Sequence, residues 1–176
     1  MTHAEVTPEE FEELFRRSAS EVHAYLRRRV GTEADDLLGE VFVIAWQRRR
    51  DLPRPELWRA WLYGVARRLI LANTRKQSQA RDAVLELSRL GDAGSNNVSD
   101  QHAAVRRLVE QLPATDRELI MLTVWEGLTV AEAALAVGMR PGTARVRLHR
   151  ARQRLAAEPG MKALVQTVRR ASPTSF

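Results

Sequence analysis

Cysteine is absent from the 176 residues, which excludes a disulfide framework and any zinc site built on thiolates. Histidine is scarce: His3, His23, His102 and His149 are scattered without the i,i+4 spacing of a helical metal site. No metal and no cofactor is expected. Long apolar runs are missing too. The longest strongly apolar stretch, Val41 to Trp46, is far short of the ~20 residues that cross a bilayer. The first residues, MTHAEVTPEEFEELF, are acidic and lack the basic-then-apolar order of a signal peptide. These absences predict a soluble cytoplasmic protein with no membrane association. Strand-type alternation is equally hard to find. The neighbouring acids Asp35, Asp36 and Glu40 have no candidate base, nucleophile or metal partner beside them, so no enzyme is expected.

What is present is basic charge and helix. The net charge is +6, which favours an anionic partner without saying anything about fold. The charge is uneven. Residues 78–104 are net acidic, the segments on either side net basic, and the tail 159–176 carries Lys162, Arg169 and Arg170 with no acid. Within the acidic stretch, LGDAGSNNVSD has turn and linker chemistry. The sequence therefore divides into a domain over 1–77, a flexible linker over 78–104, a second domain over 105–158 and a basic tail over 159–176.

Helix starts are well marked. Thr7-Pro8-Glu9-Glu10, Thr115-Asp116-Arg117-Glu118 and Thr129-Val130-Ala131-Glu132 each read as a capping box. In such a box the threonine oxygen accepts an orphan backbone N–H and the glutamate reaches back to the cap. They predict starts near 8, 116 and 130. A second helix is expected over about 33–50, stopped by Pro53 and Pro55, and a third over about 57–77. Beyond Asp100 the pattern gives helices near 101–111, 116–126, 130–137 and 142–157. The fold class is all-α, in two small helical domains.

The stretch VGMRPGTARVRLHRARQRL, residues 137–155, has seven arginine or histidine residues in nineteen. A short helix, a glycine-containing turn and a longer basic helix make a helix-turn-helix pattern. On a helical wheel Ala144, Leu148, Ala151 and Leu155 form one apolar seam, leaving Arg145, Val146, His149 and Arg150 on other faces. Arginine can grip a guanine edge bidentately, and Val146 can touch a thymine methyl. Thr143 lies in the first turn, where backbone N–H groups suit a phosphate. No acid occurs from Pro141 to Ala157. A merely solvated helix would mix signs to gain i,i+4 pairs, so this one reads as a DNA-reading helix. In the first half, ELWRAWLYGVARRLILANTRK interleaves Trp58, Trp61 and Tyr63 with arginines, as single-strand binding requires. Trp61, Val65, Leu69 and Ala72 are read as its core stripe, with Trp58 the more exposed ring. The preceding helix has a broad buried stripe of Leu37, Leu38, Val41, Ile44 and Ala45.

These blocks together resemble the extracytoplasmic-function sigma factors, the small initiation subunits of bacterial RNA polymerase. The resemblance rests on ADDLLGEVF and WRAWLYGVARRLILANTRK in the first half, and on LPATDRELIMLTVWEGLTVAEAALAVGMRPGTARVRLHRARQRL in the second. It covers roughly residues 11–157. It implies a sigma region 2-like helical bundle joined by the linker to a sigma region 4-like helix-turn-helix. Asp36, Leu37, Leu38, Glu40, Val41 and Phe42 would dock on core RNA polymerase. The loop from Arg48 to Leu57, with Leu52 and Arg54, would capture a flipped base of the minus-10 element. Trp58, Arg67, Arg68 and Asn73 would engage the melting minus-10 DNA. Thr143, Arg145, Val146, His149 and Arg150 would read the minus-35 duplex. The free chain would be a monomer, its partners core polymerase and promoter DNA, with an anti-sigma protein a further candidate. The competing reading is a free-standing helix-turn-helix regulator whose first domain senses a ligand or dimerises. Several positions depart from the family pattern. Gly39 stands where glutamine is common, DLPRPEL is a proline-stiffened capture loop, and Arg68 replaces a frequent asparagine. Ala133 and Ala136 replace larger aliphatics, which predicts looser packing, and Leu135 falls at a usually acidic surface position.

Overall fold

The structure is a computed structural model, and it describes residues 6–85 and 107–158. Among the described residues every regular element is helical. α1 spans Pro8–Val30 and starts on the expected box. Thr7 Oγ1 accepts the Glu10 N–H at 3.2 Å, and the Glu10 carboxylate accepts the Thr7 N–H at 2.9 Å. A 3₁₀ turn, Gly31–Glu33, leads into α2, Ala34–Gln47. A second 3₁₀ turn, Pro55–Leu57, leads into α3, Trp58–Leu85. α3 is longer than the expected 57–77 and continues through residues assigned to the linker. QSQARDAVL, 77–85, contains neither glycine nor proline, so nothing local stops the helix.

The second half holds α4 (Ala114–Val124), α5 (Val130–Val137) and α6 (Pro141–Ala157), preceded by helical residues 107–110. The box at Thr129 forms as expected, with the Thr129 N–H donating to Glu132 at 2.7 Å. The box at Thr115 does not. α4 starts directly after Pro113, whose side chain cannot cap, and so begins two residues before the expected start. Glu118 turns away from the helix start to accept from Tyr25 Oη at 2.8 Å and Arg29 Nη2 at 3.1 Å. A long-range charge partner outweighs a local cap contact worth about 1 kcal/mol.

α1, α2 and α3 pack on one another, and α4, α5 and α6 do the same. The two bundles share one continuous core, because α5 lies along α3. Val22, Tyr25, Leu26, Val41, Leu62 and Tyr63 fill the first part and Leu119, Leu122, Ala144, Leu148 and Ala151 the second. The contact between α3 and α5 is unusually close. A Cβ at Gly64 would lie 3.2 Å from the Ala136 carbonyl oxygen, so the helices meet almost backbone to backbone. Ala133, Ala134 and Ala136 are all buried. The small residues here therefore bring close packing, not the looser packing their size predicts. In α3 the inward side is Ala60, Leu62, Tyr63, Val65 and Ala66, while Trp61 and Leu69 are half-buried and Ala72 is exposed. In α2 Leu37, Val41 and Ala45 are buried as expected, with Ala34 and Phe42 added, whereas Leu38 and Ile44 are half-buried.

Gly39 sits in the middle of α2 with no atom near enough to meet an added Cβ. Its cost is then the backbone entropy of a helical glycine alone. Gly39→Ala is expected to stabilise the chain by about 0.5–1 kcal/mol in urea unfolding, with unchanged helix content by circular dichroism.

Candidate nucleic-acid interface

The helix-turn-helix is set by Gly138. It takes a left-handed conformation with φ of 76°, and its N–H closes α5 on the Ala134 and Leu135 carbonyls. Only glycine adopts this geometry without a Cβ penalty. Arg140 then caps α6 through its backbone, and Pro141 occupies the first turn, where its missing N–H costs nothing. The apolar seam of α6 is the one the wheel gave: Ala144, Leu148, Ala151 and Leu155 are buried. Thr143, Arg145, Val146, His149 and Arg150 are all exposed on the opposite side. Val146 keeps 50% of its surface and stands among these polar side chains as an apolar contact point.

Arg147 behaves differently from its basic neighbours. Its Nε donates to the buried Asp116 carboxylate at 2.6 Å. It thereby fixes the start of α4 against α6 and is spent on structure.

The first bundle presents its candidates less uniformly. Arg54 and Arg68 are exposed, and Arg67 is half-buried. Leu52 is 3% exposed and belongs to the core, so it holds the loop in place instead of offering a contact. Trp58 is half-buried, and its indole N–H donates to the Pro53 carbonyl at 2.7 Å. That bond pins the proline-rich loop to the start of α3. An open cleft of about 390 Å³ lies where this loop faces α1, edged by Arg17, Pro55, Trp58 and Arg59. Asn73 donates its side-chain amide to Glu33, tying α3 to the turn before α2. Tyr63, one of the three rings interleaved with arginines at the start of α3, is fully buried. Burial, and next the charge of Glu126, push its phenol up to about 12, so it is a neutral hydrogen-bonding group.

Of the six α2 candidates, Asp36 and Glu40 are exposed and Leu38 half-exposed. Leu37, Val41 and Phe42 face the core and have no surface for a partner. Sequence reasoning passed over one exposed apolar residue of this helix. Val43 is 56% exposed and continues the outward row Asp36, Glu40, Val43, Gln47 at helical spacing. Beside it, Phe15 and Trp46 are also partly exposed. They belong to an edge-to-face aromatic group with Phe11 and Phe42, at centroid separations of 4.7–6.3 Å. The signal was available in the 3.6-residue period of α2, which leaves Val43 out of phase with the buried stripe. Among the described residues no three His, Cys, Asp or Glu side chains gather as a metal site, and no helix is long and apolar enough to cross a membrane.

Comparisons with known proteins agree with the two-part layout. The family model described as Sigma-70 region 2 matches residues 14–80, and that described as Sigma-70, region 4 matches 102–155. The chain is 38% identical over 151 residues to the ECF RNA polymerase sigma factor SigD of Mycobacterium tuberculosis, covering 76% of this chain and 69% of that protein. It is 31% identical over 165 residues to the RNA polymerase sigma-E factor of Streptomyces avermitilis, covering 90% of this chain and 88% of that protein. In fold it is similar to the sigma factor RpoE solved with the anti-sigma factor NepR from Bartonella quintana. That match has a TM-score of 0.65 at 19% identity and covers 90% of this chain and 98% of that one. It is also similar to CnrH solved with the cytosolic domain of CnrY, with a TM-score of 0.57 at 27% identity over 92% of this chain and 90% of that one.

The Arg147–Asp116 pair gives a direct check on which α6 residues are structural. Arg147→Ala leaves a buried carboxylate without its partner and is expected to destabilise the second bundle by about 1–3 kcal/mol. Arg150→Ala, on the exposed side, is expected to change stability by less than about 0.5 kcal/mol. Thermal unfolding of the two variants separates them.

Proposed function

The chain belongs to the extracytoplasmic-function sigma factors and directs promoter-specific transcription, and from that premise we propose how its own residues divide the work. α6 enters the major groove of the minus-35 element and reads it with Arg145, Val146, His149 and Arg150, while Thr143 and the first turn meet a phosphate. The loop before α3 and the start of α3 capture the opened minus-10 strand, with Arg54 and Arg68 on phosphates and the exposed side of Trp58 against a base. Unstacking a base costs a few kcal/mol, offset by stacking and backbone contacts. The outward row of α2, Asp36, Leu38, Glu40 and Val43, docks on core polymerase, which supplies the chemistry of RNA synthesis. The first functional unit runs to the end of α3 and the second covers 105–158.

The observation that carries this reading is α6. An acid-free helix keeps five candidate side chains exposed while its apolar seam is buried. A free-standing regulator would explain α6 alone. It leaves the first bundle, matched as Sigma-70 region 2 over 14–80, without a role. An anti-sigma protein is a partner consistent with the complexes in which RpoE and CnrH were solved.

Purified bacterial core polymerase, with and without this chain, tests the proposal on genomic DNA. Start-site-specific RNA that depends on the chain is expected. Its absence with every core tested overturns the reading. On duplexes selected by the chain from a random pool, Arg145→Ala is expected to weaken the preferred sequence by about 1–3 kcal/mol and to relax preference at one position. An equal loss on all sequences would make Arg145 a phosphate contact only.

A further inference from the structure

The loop between α2 and α3 is shaped by few contacts. Residues 48–57, RRRDLPRPEL, contain no glycine. Pro53 and Pro55 fix their own φ angles and drive the preceding Leu52 and Arg54 into extended backbone. Arg54 has φ of −54° and ψ of 148°, as that rule requires. At the α2 end the Asp51 N–H donates to the Arg48 carbonyl at 2.8 Å, and Leu52 is buried. At the α3 end the Leu57 N–H donates to the Arg54 carbonyl at 2.8 Å. Between these ends proline fixes φ but not ψ, so the tip keeps rotational freedom at Pro53 and Pro55.

Trp58 removes much of that freedom. Its indole N–H donates to the Pro53 carbonyl at 2.7 Å, at the short end of the range for such bonds. The bond closes a ring over Arg54, Pro55, Glu56 and Leu57, and ties Pro53 to the first residue of α3. On the α1 side, among the described residues, the tip meets the open cleft of about 390 Å³, edged by Arg17, Pro55 and Trp58. Arg54, Pro55 and Glu56 are all exposed. Without the indole bond the tip has an open space to fold into. Trp58 and Pro53 are only half-buried, so water takes the place of a lost bond there and the fold itself does not depend on it.

We propose that Trp58 is a positioning residue for base selection: its indole N–H holds the proline loop in the capture shape before DNA arrives. This deepens the sigma reading and rests on it for the strand that the loop receives. The ring has two separate roles, since its edge is committed to Pro53 while its exposed face remains for a base. A loop already in its binding shape loses little conformational entropy when the base enters. A loop that samples several shapes binds in proportion to the competent fraction, and its other shapes admit other bases. The indole bond therefore raises both affinity and discrimination at the captured position. α6 packs on α4 and α5, so the minus-35 reader lies outside its influence.

Two replacements at this position separate the edge from the face. Trp58→Phe keeps an aromatic face and removes the N–H, but it also shrinks the ring. 3-Benzothienylalanine at position 58 removes the N–H alone, because sulfur takes the place of nitrogen in a ring of the same shape. The chain has four tryptophans, and the indole signal lost in ¹⁵N-labelled Trp58→Phe identifies Trp58. Solvent exchange of that N–H slower than in free tryptophan is expected in the free chain. Exchange as fast as in free tryptophan would overturn the pin.

Base selection is read with holoenzyme, assembled from core polymerase and the full chain, on fork DNA. The fork carries the minus-10 strand of a promoter mapped from this chain's own transcripts, with each of the four bases placed at each position in turn. The benzothienyl variant is expected to bind the preferred strand about three- to tenfold more weakly, the size of one hydrogen bond, and to lose discrimination at one position. The thermal midpoint and the affinity for an isolated selected minus-35 duplex are expected to stay at wild-type values. Wild-type discrimination at every position, or a loss spread evenly over all positions, would overturn the proposal. If the wild-type chain gives no specific transcript, the sigma reading falls, and the indole exchange still decides whether the loop is pinned.

Discussion

A carboxylate buried at the meeting of two bundles sets the terms for the rest of this structure. Taking Glu126 out of water costs several kcal/mol, and the loss is tolerable only where opposite charge and hydrogen bonds surround the group. Arg28 supplies both, Tyr63 adds a neutral donor, and Arg59 takes the adjacent backbone carbonyl. Gly127, with φ of 64°, turns the chain immediately after Glu126, so the acid projects back towards α1 while the next residues enter α5. One turn therefore places the buried acid and launches the helix-turn-helix.

Close approach is the second condition. The arginine and tyrosine contacts reach only because α3 and α5 run nearly backbone to backbone at Gly64 and Ala136. Larger residues along α5 would hold the bundles apart and leave Glu126 exposed and weakly paired. The alanines that look like a poorly filled core in the linear sequence are what allows the ion cluster to close. The same packing orients α6 through the Asp116–Arg147 pair and the buried seam. The candidate reading face of α6 is thereby presented outward.

Much of this was legible one residue at a time. The capping boxes at Thr7 and Thr129, the Gly138 turn and the α6 seam follow from local rules, and they stand where those rules put them. The box at Thr115 was misread because Glu118 has a better partner 89 residues away, which no local pattern shows. Leu37, Val41 and Phe42 entered the docking list as parts of a contiguous motif. A helix turns only every third or fourth residue outward, so the motif string mixes surface with core. Leu52 entered the minus-10 list as part of the capture loop, and its burial gives it to the core. Contact between the bundles could not be read at all. It depends on pairing acids and arginines across roughly a hundred residues, with nothing nearby to mark which carboxylate is solvated and which is caged.

Packed bundle against bundle when free, this chain has to open to span a promoter. Because the chain has no cysteine, spin labels can be placed cleanly at Ser20→Cys on α1 and Ala156→Cys on α6, both exposed. Pulsed electron spin resonance then measures their separation in the free chain and in the complex with core polymerase and promoter DNA. One short, narrow separation is expected in the free chain, replaced in the promoter complex by one longer by tens of ångströms. The same short separation in both states would contradict it.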